Sequence, residues 1–177
     1  MRIKTDLIAP DFFNRRFTLS QREARKVSES ALVTSHLMMP QDANFQGNVH
    51  GGVIMMHVDE IAGAVAAIHA RKECVTASID QMNFYEPVYI GNLLTLKASV
   101  NYTGHTSMEL GVRIESRDLK TGKIVHTGSS YLTFVALDEN GKPTMVADIV
   151  PETAVDKRRY AEAKERRARR LAAAGKN

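Results

Sequence analysis

"NFQGNVHGGVIMMHVDEIAGAVAA", residues 44–67, is the stretch whose reading decides the fold. It opens as a glycine-punctuated loop and becomes a helix. From about Gly51 to Arg71 the apolar residues Ile54, Val58, Ile61, Val65 and Ile68 recur at steps of four, three, four and three, one stripe of an α-helix. Ala62, Gly63, Ala66 and Ala67 run beside it, small enough to let the helix lie close against a sheet. Within this core-like helix sits Asp59, with Met55, Ala62 and Ala66 on its face. A carboxylate there either pairs with a partner or has its pKa raised by desolvation, and the second state suits a general base near neutral pH.

Outward from the helix, "SALVTSHLMM" is β-branched enough for a first strand that stops at Pro40. "CVTASIDQMNFY", "NLLTLKASVNYTG", "HTSMELGVRIESRD" and "GKIVHTGSSYLTFVALD" follow the helix with period-two character. The turn signals "EPVYIGN", "TGH" and "LKTGK" separate them, and Asn140-Gly141 closes the last. This order predicts an α+β fold: a strand, one long helix, then four strands in an antiparallel meander. One helix covers one face of such a sheet, so a second copy of the chain is expected to shield the other. Before the first strand, "TLSQREARKVSES" suggests a short helix capped by Thr18 or Ser20.

The 177 residues, 44% hydrophobic, suffice for one domain with a real core and extensions. No stretch reads as the roughly 18 apolar residues of a membrane span, and "MRIKTDLIAPDFFNRRF" lacks a signal peptide's apolar segment. A cytoplasmic protein is expected. The single Cys74 excludes an internal disulfide and a zinc site built from one chain's cysteines; it reads as a small, half-buried hydrophobe. Of the formal charge of +4, residues 151–177 carry nine Lys/Arg against four Asp/Glu, leaving 15 against 16 in the rest. That tail is helix-favouring, with Glu162 four residues before Arg166 and Glu165 four before Arg169. It reads as a solvated terminal helix, with contact to an anionic membrane or an acidic partner surface as the alternatives. Only Tyr160 interrupts its charges with an aromatic, which does not favour nucleic-acid binding.

The opening loop contains no phosphate-loop, dinucleotide or nucleophile-elbow motif. His50, His57 and Asp59 do not read as a metal site, because His57 lies about 200° around the helix from Asp59. His36, His69, His105 and His126 have no metal-ligand spacing. Gly51 and Gly52, at the helix start, offer backbone N–H groups at the positive end of the helix dipole, a ready oxyanion hole. Asn44 and Asn48 offer amides on the same loop, either to hold a water or a carbonyl oxygen or to shape the turn.

These motifs, "MMPQDANFQGNVHGGVIMMHVDEIAGAVAA", then "SIDQMNFYEPVYIGNLLTLKASVNYTGHTSMELGVRIESRDLKTG" and "SSYLTFVALDENGKP", resemble the hotdog-fold acyl-CoA thioesterases, closest to the cytosolic acyl-CoA hydrolase branch. The resemblance implies a hotdog domain over 31–146, with extensions at 1–30 and 147–177. It implies a sheet wrapped around the central helix, a homodimer, and a trimer of dimers. It places a catalytic pair at Asn44 and Asp59, drawn from opposite subunits, with Gly51 and Gly52 polarising the thioester carbonyl. Thr106 and Ser107 match the segment that lines the coenzyme A site, and His50 and Met82 are further candidate substrate contacts. No metal or organic cofactor is implied, coenzyme A being part of the substrate.

The expected reaction is hydrolysis of acyl-CoA to a carboxylic acid and coenzyme A, with Asp59 as general base or as nucleophile. Two alternatives stay open: a hotdog protein that binds acyl-CoA as a sensor or scaffold without turnover, and a hydratase in which His50 works with the acid. Met55, Met56, Met82 and Phe84 are core residues first and acyl-pocket residues second.

Overall fold

The computed structural model describes residues 22–173 and 175. Seven strands and two long helices follow in order: β1 (Ala24–Lys26), β2 (Leu32–Leu37), α1 (Gly51–Ala70), β3 (Cys74–Phe84), β4 (Leu93–Thr103), β5 (Ser107–Arg117), β6 (Ile124–Ala136), β7 (Asp148–Val150) and α2 (Ala154–Ala173). Strands β2 to β6 form one antiparallel sheet in the order β2-β4-β5-β6-β3. The expected four-strand meander is therefore only partly formed. Strands β4, β5 and β6 are sequential neighbours, but β3 pairs with β6 at the far edge. The reason lies in "EPVYIGN", which is no tight turn: residues 85–92 carry the chain across the sheet.

Strand alternation sorts the sheet into two faces. Leu94, Leu96, Leu110, Val112, Leu132 and Phe134 are buried on the face that carries α1. Against them the helix buries Ile54, Val58, Ile61, Ala62, Val65 and Ala66. Gly63 permits the close approach, since a Cβ there would already touch the Phe134 ring at 3.6 Å. Each buried Leu or Ile contributes about 1.5–3 kcal/mol, so this two-layer core dominates stability. Ile68 departs from expectation by being 44% exposed. The buried stripe runs from Val65 to His69, a step of four, because 3.6 residues per turn drifts off the three-four pattern.

Helix α1 has the length and mean hydropathy, 1.4 over 18 residues, of a membrane span, contrary to the sequence reading. In the fold it is the helix packed on the sheet, and it carries Asp59 and Glu60.

The chain itself covers part of the second face, while Val33 and Leu37 of β2 stay exposed on it. The basic tail folds back as α2 and lies on it. Arg166 reaches the buried Glu109 of β5 at 2.7 Å and stacks over the Tyr131 ring at 3.8 Å, while Arg170 bridges Glu109 at 3.1 Å and Asp80 at 2.9 Å. The acidic surface that α2 meets belongs to its own chain. Consequently Glu162 does not pair forward with Arg166; it pairs back with Arg158 at 2.7 Å.

Thr18 and Ser20, expected to cap an N-terminal helix, lie outside the described residues. Residues 24–29 form β1 and a single 3-10 turn in place of that helix. β1 pairs in parallel with β7, so the segments before and after the sheet fasten to one another, and Arg22 adds an ion pair to Asp148 at 2.8 Å.

Candidate functional site

Asn44 belongs to the loop between β2 and α1 and shapes it. Its Oδ1 accepts the N–H groups of Gln46 at 2.8 Å and Asn48 at 3.2 Å, an Asx turn closed by Gly47 at φ +83°. With the oxygen committed, the side-chain NH₂ remains as the donor, without a partner among the described residues. Asn44 lines an open recess of about 310 Å³ together with Asn48, Gly51, Ile54 and Phe84.

The two glycines at the helix start differ. Gly52 N–H donates to the Nδ1 of His50 at 2.9 Å, so His50 is the helix cap and that amide is occupied. The sequence expectation of two open amides is corrected to one: Gly51 N–H has no hydrogen-bond partner among the described residues, and it borders the recess. His50 is thereby committed to a capping role at the helix start, about two turns from Asp59.

Asp59 is half-buried and does not line the Asn44 recess. Its Oδ1 accepts a hydrogen bond from the Thr76 hydroxyl of β3 at 2.8 Å. Eight residues of helix separate it from Gly51, about 12 Å of rise. Within one chain, the structure does not bring Asn44 and Asp59 together.

Thr106 and Ser107 lie at the β4–β5 turn, at the same end of the sheet as Thr76. Ser107 faces Val135, and Val135 faces Val75. Phe84, beside Asn44, is at the opposite end of the 11-residue β3. Met82, near that second end, is half-buried and packs against the core.

Sequence reading missed Thr76, because a threonine in a strand carries no signal of its own. It also missed the stacking of His36 on His57, with ring centroids 4.0 Å apart, and the 3.1 Å contact of His57 with Glu60. No cluster of three or more metal-ligating side chains occurs among the described residues. Cys74 is half-buried, and desolvation pushes its thiol up to about 11.

Strand β3 is an edge of the sheet. Val75, Ile79 and Phe84 on it, with Met55, Met56 and Ile68 on α1, are exposed large apolar side chains of two adjoining elements. Apolar exposure on that scale marks an interaction surface.

The thioesterase superfamily model matches residues 46–123. Protein VdlD of Helicobacter pylori is 43% identical over 149 residues, which span 82% of this chain and 85% of that protein. The chain belongs to the thioesterase superfamily. The sheet wrapped on α1 is accordingly the hotdog fold. Among solved structures of this superfamily, an acyl-CoA hydrolase from Staphylococcus aureus, in complex with butyryl coenzyme A, coenzyme A and coenzyme A disulfide, superposes with a TM-score of 0.80 at 40% identity. The match covers 84% of this chain and 91% of that one. Further structures of that enzyme carry alanine in place of an Asn, an Asp and a Thr. A hexameric acyl-CoA thioesterase superposes with a TM-score of 0.84 at 39% identity, covering 86% of this chain and 97% of that one.

Proposed function

We propose that the chain hydrolyses acyl-CoA thioesters to carboxylic acid and coenzyme A, in a site completed by two copies of the chain. One observation carries the reading. Asn44, Asp59 and Thr76 are spaced by 15 and 17 residues, and the Asn, Asp and Thr replaced in the Staphylococcus aureus hydrolase have the same order and the same spacings.

The geometry supports sharing between subunits. β3 has a free edge, and its Asp59–Thr76 end and its Asn44–Phe84 end are far apart in one chain. Antiparallel pairing of two β3 edges about Ile79 would set Thr76 of one copy opposite Met82 of the other. Asp59 would then approach the partner's Asn44 recess, and Thr106 and Ser107 would come to the same place, suited to the coenzyme A portion.

In that site the Thr76 hydroxyl holds one carboxylate oxygen of Asp59 and leaves the other to act. As a general base it takes a proton from water, which attacks the thioester carbonyl; as a nucleophile it attacks directly, expels the thiolate and gives a mixed anhydride, which water then hydrolyses to the acid and the Asp59 carboxylate. The Asn44 NH₂ and the Gly51 N–H supply donors for the water or the developing oxyanion, and the thiolate leaves. No metal or organic cofactor takes part in either route. The hydrolase domain spans 31–146, and pairing into a trimer of dimers follows the hexameric relative. It acts in the cytoplasm, where the lone Cys74 stays reduced.

The test is free-thiol release from short-, medium- and long-chain acyl-CoAs by wild type and Asp59→Ala. Turnover should fall by on the order of 10² or more in the variant. Wild-type binding without turnover would replace this reading with that of an acyl-CoA sensor.

A further inference from the structure

Gly104 opens the turn between β4 and β5, and its backbone does not require a glycine, since its φ lies outside the positive range. What it supplies is room. A Cβ at 104 would lie 3.0 Å from Ser107 Oγ, 3.3 Å from Arg167 Nη2 and 3.4 Å from Arg167 Nε, so the missing side chain lets a guanidinium of α2 lie directly against the turn, beside a hydroxyl. The turn itself is firmly held. Gly104 N–H donates to the Ser107 carbonyl at 2.7 Å, and Arg22, paired with Asp148 at 2.8 Å, donates to the Gly104 carbonyl.

Arg167 differs from the arginines around it. Arg166 and Arg170 answer the charges of Glu109 and Asp80, and Arg158 pairs with Glu162. Among the described residues no carboxylate lies within ion-pairing distance of Arg167, whose guanidinium faces the Tyr102 ring at 5.8 Å. Arg167 and Ser107 are both half-buried, so each keeps part of its surface open to a ligand. An arginine drawn against a turn without a counter-charge gives up hydration for no return.

Position indicates which anion would meet it. Ser107 faces Val135 and Val135 faces Val75, which places this turn two strand spacings, roughly 10 Å, from the strand that holds Asp59 through Thr76. On the hydrolase reading, on which this inference rests, the thioester lies at Asp59 and the coenzyme leads away from it toward its phosphates. We propose that Arg167, with the Ser107 hydroxyl, binds a phosphate group of coenzyme A and so makes α2 part of substrate recognition. The planar guanidinium fork matches two phosphate oxygens at once. Helix α2 lies beyond residues 46–123, where the superfamily model matches, so this contact belongs to the chain's own C-terminal extension.

The test uses one acyl chain, the one that wild type hydrolyses fastest, carried on coenzyme A, on 3′-dephospho-coenzyme A and on pantetheine, which has no phosphate, at constant ionic strength. The ratio of kcat/KM on the coenzyme A thioester to that on the pantetheine thioester should fall at least about tenfold in Arg167→Gln and about threefold in Ser107→Ala. Structural damage would lower both rates together, so an unmoved ratio in Arg167→Gln overturns the proposal. An equal loss on the dephospho-coenzyme assigns the diphosphate, and a loss confined to the full coenzyme assigns the ribose 3′-phosphate. Equilibrium dialysis of free coenzyme A separates this inference from the hydrolase reading. If wild type binds coenzyme A without turnover, the hydrolase reading falls, and binding at least about tenfold weaker in Arg167→Gln still supports the phosphate contact. Equal binding by the two proteins, or no saturable binding up to about 1 mM, overturns it.

Discussion

Thr76 on β3 donates its hydroxyl to Asp59 on α1 at 2.8 Å, and this bond fixes that acid of the central helix to the free edge of the sheet. Any strand that pairs with that edge is brought to the acid. The Asn44 recess lies at the other end of the same edge strand, so within one chain the acid and the recess stay apart.

Mixed dimers test that separation. Asn44→Ala and Asp59→Ala homodimers should each be nearly inactive. If subunits exchange freely, half of the dimers are mixed, and each of those regains one intact site. Thiol release should recover to about a quarter of the wild-type rate under a two-fold arrangement. A mixture that stays as inactive as its components would place both residues in one subunit's site.

Thr76→Val keeps the shape of the side chain and removes the hydroxyl. Asp59 would keep its charge but lose its orientation, so kcat should fall by about tenfold or more with KM little changed. Thr76→Ser, which keeps the donor, should recover most of the rate. Equal kcat in the valine variant and wild type would reduce the hydrogen bond to a structural contact.

The helix and the strand positions were legible because they rest on local periodicity, and Asn44 and Asp59 were singled out by an ordered motif. Pairing was not. Nothing in "CVTASIDQMNFY" says that β3 joins β6 and skips β4, since alternation reports faces and not neighbours. The same limit applied to α2. In sequence Arg166 has Glu162 four residues away, whereas its partner in the fold is Glu109, 57 residues distant, and helical spacing cannot register a bond across the sheet. Gly52 misled for another reason: His50 is an uncommon cap, and only its geometry shows the amide taken.

Removing Arg166 should therefore cost far more than a surface arginine would. Glu109, with its side chain 1% exposed, would be left a buried carboxylate held only by the Arg170 contact. Arg166→Ala should destabilise by about 3–5 kcal/mol in urea unfolding at fixed protein concentration. Replacing both partners, as Arg166→Met with Glu109→Leu, should recover most of the loss. A single variant within about 0.5 kcal/mol of wild type would show that α2 is only loosely applied to the sheet.

Stability should also depend on pH through His69. The ring is fully buried on the last turn of α1, where its Nε2–H donates to the Ala147 carbonyl at 3.1 Å and Nδ1 has no partner. Burial holds its pKa below the ordinary 6.5; the Ala147 bond and the charges of Glu29 and Glu23 oppose the shift, and that of Arg25 reinforces it. A base with a depressed folded pKa is neutral in the folded chain at pH values where the unfolded chain has already bound a proton. Stability is thus fully present above about pH 6.5 and is lost as pH falls from there toward the folded pKa. His36 shifts in the same direction, through desolvation and the charge of His57, and adds to the slope. Urea unfolding of wild type and His69→Gln between about pH 8 and about pH 5 should show the wild type losing more stability on acidification, since glutamine keeps the donor to Ala147 and cannot ionise. Parallel stability profiles for the two proteins would mean that His69 binds its proton in the folded chain as readily as in the unfolded one.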